Sequence, residues 1–130
     1  MEIAVRQALV IGGGAFGTAL ALILARKGAE VDVWVRDDKQ AKIVNEERRN
    51  NKYLPGVDLP ATLKFTHDLI PAIQREPEII IFAIPTQFLR AFLEEHRSVW
   101  PVGVPLLQSA KGIEVLTHKT PYEIMLEELP

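Results

Sequence analysis

The sequence predicts an α/β domain built on a doubly wound parallel sheet with helices on both faces. Short apolar segments alternate with segments of helical periodicity, and a glycine cluster separates the first apolar segment from the first helical one. Strands that alternate with helices favour parallel pairing, because each connecting helix packs back onto a face of the sheet. At 130 residues the chain has the length of one domain, and we place no domain boundary inside it.

The first four elements are separated by glycine and aspartate residues. The strands are short and apolar or β-branched, and the helices repeat apolar residues every three or four positions. Gly28 is suited to end the first helix, and Asp37 or Asp38 can cap the second. The predicted elements are a strand at 7–11, a helix at 15–27, a strand at 31–35 and a helix at 39–49.

A loop at 50–60, rich in proline and glycine, precedes the second half of the chain. Residues 78–84 form the strongest strand, because an almost wholly apolar run is typical of a strand covered on both faces. Pro85 ends this strand, and Thr86 can cap the helix that follows. The predicted elements are a strand at 63–65, a helix at 68–75, a strand at 78–84, a helix at 87–96, a strand at 105–109 and a helix at 122–129.

Helical spacing also predicts which side chains face the core. An amphipathic helix buries one stripe of apolar residues and exposes the opposite side. The expected buried residues are Ala41, Ile43 and Val44 in the second helix and Phe88, Leu89, Phe92 and Leu93 in the fourth.

Composition and charge exclude several classes of protein. Fifteen Lys and Arg against seventeen Asp and Glu give a net charge of -2, and there is no cysteine. A disulfide scaffold and a Cys-based zinc site both require cysteine, and a hydrophobic fraction of 48% is too high for a disordered chain. Without a basic run, no nucleic-acid partner is expected. We expect a cytoplasmic protein, since the lack of cysteine fits a reducing compartment.

One apolar segment has the length of a membrane helix. Residues 8–25 contain 18 residues, of which only Thr18 is clearly polar. Three consecutive glycines divide the segment into two short pieces, and glycine clusters mark turns. We therefore expect a strand and a helix here and no membrane partner.

The glycine cluster contains a dinucleotide-binding motif. Gly12, Gly14 and Gly17 form G-x-G-x-x-G between a predicted strand and helix, and a second strand closes the βαβ unit. Gly12 allows a tight turn, Gly14 lets a pyrophosphate approach the backbone, and Gly17 lets the helix pack closely. The free N–H groups at the helix N-terminus favour an anion. The motif predicts a Rossmann cofactor site, and the alternative is a turn that only joins strand to helix.

The end of the second strand bears on the type of cofactor. An acidic residue there binds a ribose 2′-hydroxyl, whereas a nearby arginine accommodates a 2′-phosphate. Arg36 could hold a phosphate, stack on adenine, or be a solvated loop charge. Asp37 could bind the hydroxyl or cap the next helix. We favour NADP and keep NAD as the alternative.

Two later motifs are more specific than the glycine cluster. They are N-N-K-Y-L-P-G at 50–56 and S-A-K-G-I-E at 109–114. With G-G-G-A-F-G-T-A-L-A at 12–21 and I-P-T-Q-F at 84–88, they resemble the NAD(P)-dependent glycerol-3-phosphate dehydrogenases over nearly the whole chain.

The resemblance implies the activity of a parent enzyme. That family reduces dihydroxyacetone phosphate to sn-glycerol 3-phosphate, a glycerophospholipid precursor. The resemblance covers its N-terminal dinucleotide-binding domain, here residues 1–130. The family's helical C-terminal domain supplies the general acid/base lysine and most substrate contacts, so we expect this chain to be a fragment that is inactive by itself.

The resemblance also implies roles for individual residues. It implies that the motif glycines bind the diphosphate and that the two residues between the last two of these glycines make further cofactor contacts. It also implies that an arginine contacts the adenosine end and that an aromatic ring contacts the nicotinamide half. One departure is Gly13, where alanine is common, and we expect it only to loosen the loop. The implied cofactor-binding residues are Gly12, Gly14, Ala15, Phe16, Gly17, Arg36, Phe88 and Lys111.

Lys111 is the residue that the resemblance places against both cofactor and substrate. It lies just past the carboxyl end of the predicted fifth strand, beside Gly112, at the sheet edge where ligands bind. A lysine there could attract the substrate phosphate or polarise the ketone oxygen. The alternative is a surface lysine in a turn.

The remaining polar residues are given structural interpretations. The three histidines lack metal-ligand spacing, so no metal is expected, and the Glu127-Glu128 pair is interpreted as a solvated helix face. We expect a small-molecule substrate and allow for a homodimer. The alternative functions are a different hydroxy-acid dehydrogenase and a stand-alone nucleotide-sensing module.

Overall fold

The structure, a computed structural model, describes residues 4–129. Within them, strands and helices alternate, and all strand pairs in the single sheet are parallel, in the order β3-β2-β1-β4-β5. This confirms the doubly wound α/β class. The elements are β1 (Gln7–Ile11), α1 (Ala15–Arg26), β2 (Glu30–Trp34), α2 (Asp38–Glu47), β3 (Leu63–Thr66), α3 (Leu69–Gln74), β4 (Ile79–Phe82), α4 (Thr86–Glu95), β5 (Leu106–Gln108) and α5 (Pro121–Glu128).

The strand order creates a crevice at the carboxyl edge of the sheet. From β1 the chain runs outward to β2 and β3, then returns past β1 to β4 and β5. Ile11 of β1 lies opposite Trp34 of β2 and Phe82 of β4, so these three strands end at the same level. The loops that follow β1 and β4 therefore diverge to opposite faces, which leaves a crevice where ligands bind in such sheets.

The sheet is covered on both faces, as its apolar strands predict. Successive side chains of a strand point to opposite faces. Ala8 and Val10 belong to one core with α1 and α2, whereas Leu9 and Ile11 belong to a second core with α3, α4 and α5. All four of these β1 side chains are fully buried.

The buried faces of two helices differ from the prediction by one residue each. Ala41 and Val44 of α2 are buried, and so are Leu89, Phe92 and Leu93 of α4. Ile43 and Phe88 are 52% and 53% exposed, and the expectation that they face the core is wrong. Consecutive residues of a helix are separated by about 100° around its axis, so each of these two side chains lies outside the buried apolar stripe.

The helix caps also show one confirmation and one correction. Asp37 caps α2, and its carboxylate accepts a hydrogen bond from the Lys39 N–H at 2.9 Å. Thr86 does not cap α4; the N-cap is Pro85, and no side chain caps this helix. The Thr86 hydroxyl instead donates a hydrogen bond to the carbonyl of Lys111, which lies 25 residues later in the sequence.

The long apolar segment at 8–25 consists of β1, the glycine turn and most of α1, as predicted. Among the helices in the described part of the chain, none is both long and apolar enough to span a bilayer.

Candidate functional site

A cleft of about 1150 Å³ opens at the carboxyl edge of the sheet. Its walls come from the segments after β1, β2, β3, β4 and β5, with contributions from α2, from the start of α3 and from α4 along its length. Ligand sites commonly measure about 300–1,000 Å³, so this cleft has room for a large ligand. All eight predicted cofactor residues line it: Gly12, Gly14, Ala15, Phe16, Gly17, Arg36, Phe88 and Lys111.

The fold itself requires two of the three motif glycines. Gly12 has φ +117°, and a Cβ there would lie 2.5 Å from the Ala83 carbonyl oxygen. A Cβ at Gly17 would collide with the Gly12 carbonyl oxygen and approach the Ala83 side chain. Gly12 therefore permits the tight turn, and Gly17 permits the close approach of α1.

Gly14 is different, because the fold does not require a glycine there. Its backbone is extended, with φ -74° and ψ -170°, which any residue can adopt. Apart from its two chain neighbours, no atom of the described residues lies within 4 Å of a Cβ built at this position. Gly14 faces the open cleft, so the lack of a side chain leaves space only for a molecule that approaches the backbone from the cleft.

Gly13 does more than loosen the loop, contrary to our expectation. A Cβ at Gly13 would collide with Val35 Cγ1 and lie 2.9 Å from Phe65 Cε2. The loop therefore packs directly on the side chains of the second strand's exit and of β3. In this chain the position has no room for alanine unless these side chains move.

The N-terminus of α1 presents free donors to the cleft. No side chain caps α1, and its first turn contains no acidic residue. In residues 4–129, the N–H groups of Gly14, Ala15 and Phe16 have no hydrogen-bond acceptor in the protein. Unpaired N–H groups and the helix dipole together favour an anion at this place.

Arg36 and Phe88 meet across the cleft. Arg36 follows β2 on one wall, Phe88 lies in α4 on the other, and the guanidinium carbon is 5.4 Å from the ring centroid. An exposed cation–π contact of this kind contributes only about 0.5–1 kcal/mol, so a bound ligand can readily replace the contact.

The structure also decides between the alternatives for Asp37, which caps α2. Arg36 is exposed but belongs to the cleft wall rather than to an outer loop.

Lys111 lies on a segment that α4 holds in place. The Thr86 hydroxyl donates to the Lys111 carbonyl at 2.5 Å. The Gln87 side chain donates to the Ile113 carbonyl at 2.8 Å and accepts from the Val115 N–H at 3.0 Å. These bonds hold the backbone of the segment, while Lys111 itself is exposed and lines the cleft. Sequence reasoning missed Gln87, because its partners lie 26 and 28 residues away.

A network of charges anchors the far end of the same segment. Arg90 Nε donates to both carboxylate oxygens of Glu114 at 3.1 Å, and Nη1 donates to Glu128 at 2.7 Å. The Arg90 hydrogen bond, followed by that from Thr117, holds the pKa of Glu114 below its usual value. Glu128 is buried and also accepts from Arg97, so its interpretation as part of a solvated helix face is wrong.

Other polar side chains line the cleft without a predicted role. They are Gln40, Tyr53, His67, Asp68, Glu95, His96 and Ser109. In the part of the chain that the structure describes, no group of three or more such acidic or histidine side chains could hold a metal ion.

Comparison with known proteins tests the resemblance. A family model described as NAD-dependent glycerol-3-phosphate dehydrogenase N-terminus matches residues 7–130. The chain is 45% identical over 129 residues to the glycosomal NAD(+) glycerol-3-phosphate dehydrogenase of Leishmania mexicana, covering 95% of this chain and 35% of that protein. It is 42% identical over 120 residues to the NAD(P)+ glycerol-3-phosphate dehydrogenase of Desulfovibrio desulfuricans, covering 92% and 35%.

The fold agrees with the sequence comparison. The structure matches the crystal structure of glycerol-3-phosphate dehydrogenase from Coxiella burnetii with a TM-score of 0.89 and 27% identity, covering 98% of this chain and 38% of that one. The chain thus spans about a third of the length of the relatives it matches. The match to the family over residues 7–130 confirms the predicted resemblance, and the chain belongs to the family of NAD-dependent glycerol-3-phosphate dehydrogenases, at their N-terminal part.

Proposed function

We propose that this chain binds NAD(H) or NADP(H) in the cleft at the carboxyl edge of the sheet. The observation that carries the proposal is Gly14, a glycine that the fold does not need, next to three unpaired N–H groups at the start of α1. A diphosphate is the anion that this arrangement suits, because it approaches the backbone and accepts several N–H bonds.

Each wall of the cleft has a part in holding the dinucleotide. The N–H groups of Gly14, Ala15 and Phe16 donate to the diphosphate, and Arg36 binds the adenosine end. The exposed ring of Phe88 contacts the nicotinamide half. When bound, the cofactor supplies the hydride, and the protein contributes orientation and electrostatic stabilisation.

We propose that the parent reaction is hydride transfer between the nicotinamide and C2 of dihydroxyacetone phosphate, giving sn-glycerol 3-phosphate. The Lys111 ammonium group would face the substrate, where a positive charge stabilises the developing alkoxide or the phosphate. Relatives named for this activity support the substrate, and the family match does not favour another hydroxy-acid dehydrogenase. Because the chain spans about a third of those relatives' length, we propose that turnover needs residues outside these 130.

Domain organisation, location and assembly are further proposals. We assign residues 1–130 to one dinucleotide-binding domain. We place the parent protein in the cytoplasm as a homodimer, although the Leishmania mexicana relative is named glycosomal. Fractionation of the source cells and sedimentation of the parent protein test the two statements.

A fluorescence titration tests the cofactor proposal. The purified chain is titrated with NADPH and, separately, with NADH, alongside Arg36→Ala and the control Lys39→Ala, an exposed cation outside the cleft lining. Saturable binding is expected for the wild type and for Lys39→Ala. A hydrogen-bonded charge contributes about 1.5–3 kcal/mol, so Arg36→Ala should weaken NADPH about tenfold or more.

The comparison of the two cofactors decides what Arg36 recognises. If Arg36→Ala loses affinity for NADPH alone, Arg36 recognises the 2′-phosphate. If it loses as much affinity for NADH, Arg36 contacts the adenine. If a folded wild-type chain binds neither dinucleotide, the proposal is wrong for this chain.

A further inference from the structure

Asn50 is a buried polar residue that the proposed cofactor contacts do not include. It lies in the loop between α2 and β3 and is only 1% exposed. Its Nδ2 donates to the Gly13 carbonyl at 3.0 Å and to the Thr18 hydroxyl at 2.9 Å. Asn50 thus reaches the glycine loop and the first turn of α1 from a segment more than 30 residues later.

The Gly13 carbonyl is the point at which several donors converge. The Thr18 hydroxyl, itself fully buried, donates to it at 3.3 Å, and Gln40 Nε2 from α2 donates at 3.4 Å. Asn50 makes the shortest of these three bonds. Because Asn50 and Thr18 are both buried, the carbonyl is directed into the protein.

The direction of this carbonyl determines the direction of the next N–H. A trans peptide is planar, so the Gly13 carbonyl and the Gly14 N–H point in opposite directions. The carbonyl faces Asn50, so the Gly14 N–H points away from Asn50. Gly14 lines the cleft, and in residues 4–129 this N–H has no acceptor. This peptide joins two glycines, so little steric resistance opposes its rotation when the carbonyl is not held. A rotated peptide would present a carbonyl oxygen to an anion and repel it.

The loop around Asn50 is built to hold this side chain. The Asn50 carbonyl accepts from the Leu54 N–H at 2.7 Å, and the two residues form an isolated antiparallel bridge. The segment N-N-K-Y-L-P-G therefore folds as a compact turn that presents Asn50 to the glycine loop.

We propose that Asn50 is a positioning residue of the cofactor site. It holds the Gly13 carbonyl and so directs the Gly14 N–H toward the diphosphate of the dinucleotide. The proposal rests on the proposed function of the cleft.

The test compares two substitutions of the same kind at adjacent positions. Asn50→Asp replaces the Nδ2 donor with an oxygen of similar size. Asn51→Asp is the matched control, because Asn51 is exposed and, within residues 4–129, its side chain bonds only to Glu47 at the surface, at 3.3 Å. Both variants gain a negative charge, but at position 50 the charge is buried and replaces the donor to Gly13 and Thr18, whereas at position 51 it lies at the surface. The Gly14 amide resonance therefore serves as the readout specific to the bond with Gly13. We measure NADH affinity by fluorescence and the Gly14 amide by ¹⁵N–¹H correlation spectra of the 130-residue chain.

We expect Asn50→Asp to weaken NADH binding about tenfold or more, whereas the NADH affinity of Asn51→Asp should stay within about twofold of wild type. We also expect Asn50→Asp to shift the Gly14 amide resonance before ligand is added. Equal affinity of the two variants would overturn the proposal. So would weaker binding by Asn50→Asp without a shift of the Gly14 amide, since the effect would then arise elsewhere.

A second pair keeps the test decisive if Asn50→Asp does not fold. Thr18→Val removes the hydroxyl that joins Asn50 to Gly13, and Thr18→Ser retains it. We expect reduced NADH affinity for Thr18→Val and restored affinity for Thr18→Ser; equal affinities would contradict the proposal. A wild-type chain that binds no dinucleotide identifies a failure of the proposed function, whereas a binding wild type with unaffected variants identifies a failure of the Asn50 role alone.

Discussion

Substituting the motif glycines one at a time separates what the fold requires from what the ligand requires. At Gly14 the backbone is extended and a Cβ meets nothing within 4 Å. Gly→Ala at a compatible position stabilises by about 0.4–1 kcal/mol through the unfolded chain. Alanine is a poorer N-cap than glycine, by roughly 0.5–1 kcal/mol, which offsets this gain. We therefore expect the stability of Gly14→Ala to remain within about 1 kcal/mol of wild type.

Gly17→Ala should behave in the opposite way. Its Cβ would collide with the Gly12 carbonyl oxygen, which is backbone and cannot move aside as a flexible side chain would. Overpacking of this kind typically costs about 1–3 kcal/mol, and a backbone obstacle places the cost at the upper end. In a chain of this size, each kcal/mol lowers the Tm by roughly 4 °C, so we expect a fall of about 10 °C.

Thermal unfolding followed by circular dichroism, together with NADH titration, measures both effects. Gly14→Ala should unfold near the wild-type Tm yet bind NADH about tenfold more weakly or worse, because its Cβ occupies the space of the diphosphate. If Gly14→Ala loses as much stability as Gly17→Ala, then the fold needs this glycine and the reasoning is refuted. If it is stable and binds normally, then the diphosphate does not approach Gly14.

Two further predictions concern the segment that carries Lys111. Gln87→Ala removes two hydrogen bonds to the backbone of residues 113–115, so amide exchange at these residues should accelerate about tenfold, whereas Gln74→Ala, at an exposed position of α3, should change nothing there. The hydrogen bonds from Arg90 and then Thr117 lower the pKa of Glu114 from 4.5 in the folded chain. Ionised Glu114 therefore stabilises the segment above pH 4.5, and this stabilisation is lost as the pH falls through the lower pKa of the folded chain. Protection at 113–115, measured as the exchange rate relative to the intrinsic rate at the same pH, should therefore fall on acidification below about pH 4.5. Glu114→Gln should abolish this pH dependence, and a fall in protection that persisted in the variant would contradict the assignment.

Local sequence patterns were sufficient for the fold class and for much of the site. The glycines of the motif, placed between an apolar strand and a helix, specify the turn after β1 because Gly12 must adopt a positive φ. The strand and helix alternation predicted a doubly wound sheet, and the position of Lys111 after the fifth strand predicted a place on the cleft. Each of these inferences depends on residues close together in the chain, where propensity and sterics act directly.

By itself, then, the sequence determined the class of fold, the family and eight of the residues that line the cleft. Only the tertiary structure decided that Thr86 bonds to Lys111 instead of capping α4, that Phe88 turns to the cleft, and that Gly13 is confined by β3. Asn50 reaches Gly13 across 37 residues. These contacts depend on how distant segments pack against the sheet, and no local propensity records which donor will meet which carbonyl.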